Sequence, residues 1–222
     1  MAIIKKNKRT IATQKDRKIV IVFFLVLCLV ACSKKVETKY DNGQLKEKYE
    51  TRKDSKGNYL RYGTYTDWYE NGKNKSEGKY KYDKKIGKWI YWHDNGQIKA
   101  EKEFKDGREQ GKCANWYKNG QKQYGGEFKD GKRIGNWVCW YVSGEKYFEG
   151  EFKEDKENGK WVYWYENGQK ASEGEFIEGK KNGRFINWHD NGQKKSEGIY
   201  KNGEKDDQWV YWNKNGEIRS DQ

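Results

Sequence analysis

The chain has 222 residues, of which 33% are hydrophobic and 36% charged, and its formal net charge is +13. The 11 tryptophans and 17 tyrosines exclude a disordered chain, and the composition is not that of a collagen-like one. Half of the apolar content is aromatic, which excludes a thick two-layer core built from aliphatic side chains.

The N-terminal segment has the organisation of a bacterial export signal. A basic stretch that includes Lys5 and Lys18 precedes an unbroken apolar run from Ile19 to Val30. This run of 12 residues is too short to cross a bilayer as a single helix, and it has the length of a signal-peptide apolar region. The sequence Leu-Val-Ala-Cys that ends at Cys32 resembles a lipobox, which implies cleavage before Cys32 and attachment of a lipid to it.

The lipobox sets the expected layout of the chain. We expect a lipoprotein signal peptide at 1–31, a short tether at 32–39 and a repeat domain at 40–222. An ordinary secretory signal or an N-terminal membrane anchor is the alternative. Ser33 follows the cysteine where an Asp signals inner-membrane retention in some bacteria, so the expected location is the bacterial envelope, with the outer membrane favoured.

Removal of the signal lowers the charge that a binding partner would meet. Residues 1–32 carry seven of the 47 Lys and Arg and one of the 34 Asp and Glu, so the remainder has a net charge of +7. These charges are interleaved along the chain and not blocked, which is typical of a solvated surface. We therefore expect no nucleic-acid partner.

From residue 43 onward the chain repeats one unit. Its marker is the glycine of an Asn-Gly pair, which recurs after 29 residues and then six times after 24 residues; one unit has Ser143 in place of Asn. The marker glycines are Gly43, Gly72, Gly96, Gly120, Gly144, Gly168, Gly192 and Gly216. A fixed period predicts a repeat architecture, with an insertion near 51–61 in the first unit. Positions below are counted from this glycine.

Each unit predicts two short strands and two turns. Asn-Gly between β-prone runs predicts a two-residue type I′ hairpin turn, and a second turn follows at Asp106-Gly107 and its equivalents. The absence of proline suits strands that are paired on both sides. The fold class is therefore all-β: an elongated single-layer antiparallel β-meander of 24-residue hairpin repeats.

A two-residue loop also predicts the register. Position −3 should face +2, −5 should face +4, −7 should face +6 and −9 should face +8. This places Trp161 opposite Gly174 and Gly159 opposite Phe176, so that each ring covers the glycine across from it. Residues in phase with Trp161 make one face strongly aromatic, whereas Val162 and Trp164 lie on a mixed face.

The repeats resemble a known family. The stretch GEFKDGKRIGNWVCWY at 126–141 resembles MORN repeats, and the form Trp-Tyr-x-Asn-Gly-Gln-Lys resembles the bacterial variant in YwqK-type antitoxin proteins. The resemblance covers about residue 40 to the C-terminus. It implies β-hairpins in an elongated sheet and a protein that acts by binding, with neutralisation of a toxin as the antitoxin label suggests. Combined with a lipid anchor, it implies an immunity-like or binding role in the envelope.

One row of residues is the candidate binding site. Position −4 is tryptophan in seven successive units, namely Trp68, Trp92, Trp116, Trp140, Trp164, Trp188 and Trp212. These rings either stack on each other and on lysine stems, or form a strip that binds a protein, glycan or peptide. The expected partner is a toxin-like or envelope protein, and the alternative function is a structural scaffold or a binder of cell-wall glycan.

The chain shows no pattern typical of catalysis, a metal site or a cofactor. His93 and His189 occupy position −3, where other units have tyrosine, and we interpret them as tyrosine replacements. Cys113 and Cys139 should be two strands apart, which is too far for a disulfide. Glutamate recurs at position +5 (Glu77, Glu101, Glu149, Glu173 and Glu197), where we expect cross-strand ion pairs. We expect that the chain is not an enzyme.

Overall fold

The computed structural model describes residues 33–219, and these residues form one antiparallel β-sheet. The strands β1 to β15 are neighbours in chain order, and β16 pairs with β14. Their bounds are β1 Ser33–Lys39, β2 Leu45–Lys53, β3 Tyr59–Trp68, β4 Asn74–Lys81, β5 Lys84–Trp92, β6 Ile98–Lys105, β7 Arg108–Trp116, β8 Lys122–Lys129, β9 Lys132–Trp140, β10 Lys146–Lys153, β11 Lys156–Trp164, β12 Lys170–Ile177, β13 Lys180–Trp188, β14 Lys194–Lys201, β15 Glu204–Lys205 and β16 Val210–Tyr211. The predicted all-β meander is confirmed.

The predictions for the N-terminal segment fall partly outside the residues that the structure describes. The predicted signal peptide and Cys32 lie outside residues 33–219. Residues 33–39, expected as a tether, instead form β1, which pairs with β2 from Ser33 opposite Arg52 onward. Between residues 33 and 219 no helix is long and apolar enough to span a membrane.

The Asn-Gly turns differ from the prediction. In one of them the amide of His93 donates to the carbonyl of Gln97 at 2.8 Å, and the amide of Gly96 donates to the carbonyl of His93 at 2.9 Å. Three residues therefore lie in the loop, and of these only Gly96 has a positive φ, 91°. This is a type I turn followed by a glycine bulge, so the predicted two-residue type I′ turn is wrong.

The longer loop changes the register only close to the turn. Trp164, at −4, pairs with Lys170, at +2, where the prediction placed position −3. A bulge between Tyr163 and Trp164 then shifts the pairing back by one residue. The predicted pairs beyond this bulge are confirmed: Trp161 with Gly174, Gly159 with Phe176 and Gly87 with Phe104.

The second turn of a unit is the type I′ turn. Asp106 and Gly107 have φ values of 50° and 86°, the pair of positive values that this turn requires. The first unit differs, because Asp54 closes a three-residue loop with Asn58 through an amide-to-carbonyl bond of 2.9 Å. This longer loop lies within the interval that carries the five extra residues.

The core lies on one face of the sheet, here called the aromatic face, which carries positions −7, −5 and +8. Trp89 and Trp161 are each only 1% exposed. The ring of Trp161 meets Phe152 edge-on at 4.9 Å between centroids and stacks on Tyr163 at 5.9 Å. Because no second layer among residues 33–219 covers this face, the aromatic side chains bury one another.

The glycines at position +6 are what allow this packing. A Cβ atom at Gly150 would lie 2.2 Å from the ring of Trp161. Each ring thus covers a glycine of the preceding strand, and the register partner Gly174 is covered by Phe185 instead. The prediction that a ring covers the glycine directly opposite in its own hairpin is therefore wrong, although the register itself is right.

Candidate binding surface

The seven tryptophans at position −4 form a row on the face opposite the core. We call this row the Trp strip and its side of the sheet the strip face, which also carries position −6. All seven side chains are half-buried, in contrast to the fully buried Trp161. Alternation along β11 explains this, because Trp161 and Trp164 are three residues apart and lie on opposite faces.

The position −3 side chains fix the backbone of the Trp strip. The hydroxyl of Tyr165 donates to the carbonyl of Trp188 at 2.7 Å, and other units repeat this bond. His189 does the same through Nε2, 3.0 Å from the carbonyl of Trp212. Since a carbonyl only accepts, Nε2 carries the proton. The interpretation of the histidines as tyrosine replacements is confirmed for His189, and likewise for His93.

The turn asparagines join successive units, a role that the sequence reasoning missed. The side-chain amide of Asn167 donates to the carbonyl of Asp190 at 2.7 Å, and its oxygen accepts the amide of Gln169 at 3.0 Å. Equivalent inter-unit bonds start from Asn42, Asn71, Asn95, Asn119 and Asn191. The signal in the sequence was the recurrence of Asn at position −1 in every unit except that of Ser143.

Lysines cover part of the Trp strip. In the later units, the lysine at +2 places its ammonium over the tryptophan of the next unit at distances of 4.9–5.6 Å from the ring centroid. The pairs are Lys122 with Trp140, Lys146 with Trp164, Lys170 with Trp188 and Lys194 with Trp212. The units that precede Trp68, Trp92 and Trp116 have Leu45, Asn74 and Ile98 at +2. The strip therefore has a cation-covered part and a part without this cover.

The glutamates at +5 accept ion pairs from two directions. Glu173 lies 2.8 Å from Lys170 on its own strand and 3.9 Å from Lys160 across the hairpin. The hydrogen bond from Lys170 holds the pKa of Glu173 below its ordinary value. Ion pairs also join Glu101 to Lys88 and Glu197 to Arg184 and Lys194. The predicted ladder of ion pairs is confirmed at these positions, and each exposed pair contributes about 0.2–1 kcal/mol.

The cysteines and histidines do not come together. Cys113 and Cys139 are free thiols, and burial raises the pKa of Cys113 to about 11. Within the described part of the chain, no three His, Cys, Asp or Glu side chains are grouped so that they could hold a metal ion.

Comparison with known families supports the repeat assignment. Three stretches match the family described as MORN repeat variant: 85–106, 157–178 and 181–202. Each stretch contains one hairpin, namely β5–β6, β11–β12 and β13–β14. No curated protein matches the chain significantly. The matches indicate a repeat-built module of the kind that binds or scaffolds proteins.

Proposed function

We propose that the chain is a non-enzymatic binding protein that uses the strip face to hold a partner protein at a bacterial envelope. The observation that carries the proposal is the difference between the two tryptophan rows. Trp89, Trp137 and Trp161 of the −7 row are buried in the core, whereas all seven side chains of the Trp strip stay partly exposed. Tryptophan is favoured as an anchor at protein interfaces because it offers a large rigid area with one polar group.

The partner that we propose is a toxin-like or envelope protein, which makes the role antitoxin-like or immunity-like. The support is the family match, since MORN-type repeats provide binding surface, together with the antitoxin resemblance of the Trp-Tyr-x-Asn-Gly-Gln-Lys form. Seven equivalent rings spaced along one sheet suit an elongated partner surface better than a small ligand, which needs a concave pocket.

Photo-crosslinking in living cells tests the proposal. p-Benzoylphenylalanine is placed at Trp164 or Trp188 in the full chain, and the matched control carries it at Glu178, an exposed turn residue on neither tryptophan row. We expect one discrete protein adduct from both strip positions and none from Glu178. Absence of any strip adduct, or equal adducts from all three positions, contradicts the proposal.

Binding to a glycan instead of a protein predicts a different experimental result. If the Trp strip binds cell-wall glycan, the protein is retained on purified cell wall, and the double substitution Trp116→Ala plus Trp140→Ala abolishes retention. Retention without protein adducts would favour the alternative of a glycan-binding or scaffold lipoprotein.

The lipid anchor is tested separately. We expect Cys32→Ala to leave the precursor unprocessed and unlabelled by radioactive palmitate, while Cys28→Ala, upstream of the proposed cleavage point, labels normally. Normal labelling of Cys32→Ala would contradict the proposed lipidation and the proposed envelope attachment.

A further inference from the structure

One unit, that of Gly120, departs from the repeat at two positions of the strip face. At −6 it has Ala114, where the flanking units have Ile90 and Val138. At +5 it has Gly125, where most other units have the ion-paired glutamate. Both changes remove side-chain volume from the same face, and they lie opposite each other in the ladder between β7 and β8.

The two cations that serve the missing glutamate are retained. In the unit of Gly168, Lys160 at −8 and Lys170 at +2 hold Glu173 between them. The unit of Gly120 keeps Lys112 and Lys122 at these positions. Neither of these two lysines forms an ion pair with a carboxylate among residues 33–219, where the other unit has two such pairs.

The lysines border the space that the glutamate would fill. A Cβ atom placed at Gly125 would lie 3.5 Å from the ammonium nitrogen of Lys122. The same ammonium lies 4.9 Å from the ring centroid of Trp140. An ammonium and an aromatic ring of the Trp strip thus lie side by side at this position.

A groove of about 560 Å³ opens at this place. Lys112, Ala114, Gly125, Val138 and Trp140 line it, so that a charged end meets an apolar wall. The groove also has carboxylates in its walls, at Glu101, Glu103 and Glu127. Glu101 is neutralised by Lys88 at 2.9 Å, whereas Lys112 and Glu127 are opposite each other in the ladder without an ion pair between their side chains.

We propose that this groove receives a glutamate or aspartate side chain from an extended acidic segment of the partner protein. The carboxylate takes the place between Lys112 and Lys122 that the chain's own glutamate takes in other units, and a neighbouring apolar side chain packs against Trp140. In the unit of Gly168 the equivalent position holds the side-chain carboxylate of Glu173. A glutamate side chain of a peptide therefore fits this position better than a sugar acid does. The proposal rests on the proposed protein-binding function and names the chemistry of the partner.

A matched pair of peptides tests the groove directly. The full chain, labelled with ¹³C at lysine Cε, is titrated with acetyl-Ser-Val-Glu-Val-Ser-amide and with the same peptide carrying Gln in place of Glu. We expect the signals of Lys112 and Lys122 to shift with the Glu peptide and to stay in place with the Gln peptide. Equal shifts with both peptides, or no shift with either, overturn the proposal.

Variants of the chain locate the response. Lys112→Ala plus Lys122→Ala should weaken Glu-peptide binding about two- to fivefold, the upper part of the range for an exposed ion pair. The control Lys160→Ala plus Lys170→Ala removes lysines that already serve Glu173, and it should leave binding unchanged. Equal loss in both double variants overturns the proposal. Circular dichroism that matches the unsubstituted chain shows that each double variant is folded.

Gly125→Glu supplies the missing carboxylate from within the chain. Gly125 does not have a positive φ, so a side chain is accepted there, and the nearest side-chain atom is the flexible end of Lys122. We expect this variant to lose the peptide response, with Lys112 and Lys122 shifted already in the free protein. An unchanged peptide response in Gly125→Glu overturns the proposal.

The outcomes separate this inference from the function on which it rests. A discrete adduct at Trp164 together with no peptide response leaves the Trp strip as a binding surface and overturns the groove assignment. A peptide response without an adduct supports the groove and overturns the wider strip function. A shift with polygalacturonate but not with the Glu peptide overturns the peptide assignment.

Discussion

Tryptophan has a different role on each of the two faces of the sheet. Trp161 and Trp164 belong to the same strand, β11, yet the first is 1% exposed between aromatic neighbours and the second is half-buried beneath Lys146. A single-layer sheet has no opposing layer to bury its side chains against. One face therefore builds the core within itself, and the other face remains available to a partner.

The largest effect is expected when a tryptophan of each row is replaced by alanine. We expect Trp161→Ala to lower the free energy of unfolding by about 3–5 kcal/mol, because it leaves a large cavity among Phe152, Tyr163 and Phe176. Trp164→Ala should cost about 1 kcal/mol or less, since it removes a partly exposed ring from the surface of the sheet. Urea unfolding of both variants measures the difference, and equal losses would contradict the division.

Two adjacent glycines sharpen the same comparison. Gly126 lies on the aromatic face, where a Cβ atom would be 2.3 Å from the ring of Trp137, so Gly126→Ala should destabilise by about 1–3 kcal/mol. Gly125 lies on the strip face, where the nearest atom is the flexible Lys122, so Gly125→Ala should be close to neutral. Thermal unfolding distinguishes them, and a larger loss at Gly125 would reverse the assignment of the faces.

The hydrogen bonds from the turn asparagines to the next unit should have a smaller effect on the stability of the sheet. Ser143 is the exception in the asparagine series, and Asn119 shows the bond that an asparagine makes to the next unit, 3.0 Å to the carbonyl of Val142. We expect Ser143→Asn to add the equivalent bond to Glu166 and to stabilise by about 0.5–1.5 kcal/mol. Asn167→Ser should lose about as much in urea unfolding, and no change in either variant would show that these bonds are not stabilising.

A pH dependence of stability is expected on the aromatic face. Burial raises the pKa of Cys113 to about 11, so the folded state favours the neutral thiol. The contribution to stability is therefore complete below about pH 8.5, the ordinary thiol value, and is lost as the pH rises towards 11. Stability should fall less steeply over this range in Cys113→Ala than in the unsubstituted chain. Identical slopes would place Cys113 in contact with water.

The sequence was sufficient for the fold class, the period and most of the register. Alternation alone separated Trp161 from Trp164, because a one-residue phase decides the face of a strand. It failed at the turns, since Asn-Gly is compatible with two turn types and the bond from Asn167 to Asp190, 23 residues away, belongs to the next unit. The residues around one turn carry no information about a contact with the next unit.

The covering of the glycines and the groove were missed for a related reason. Register names the residue opposite Gly174, but the ring that lies on this glycine comes from Phe185 on the following strand. The groove beside Trp140 is recognisable only when Gly125 is compared with Glu173 and its two lysines, which requires the contacts of another unit.

The central claim, that the Trp strip binds and the −7 row does not, is tested most directly by fluorine NMR. The chain labelled with 5-fluorotryptophan is measured with a soluble gadolinium chelate, first alone and then with the crosslinked partner after its purification. We predict broadening of the strip signals, not those of Trp89, Trp137 and Trp161, and protection of the strip when the partner is added. Broadening of the Trp89, Trp137 and Trp161 signals, or a partner that protects no strip signal, would contradict the account.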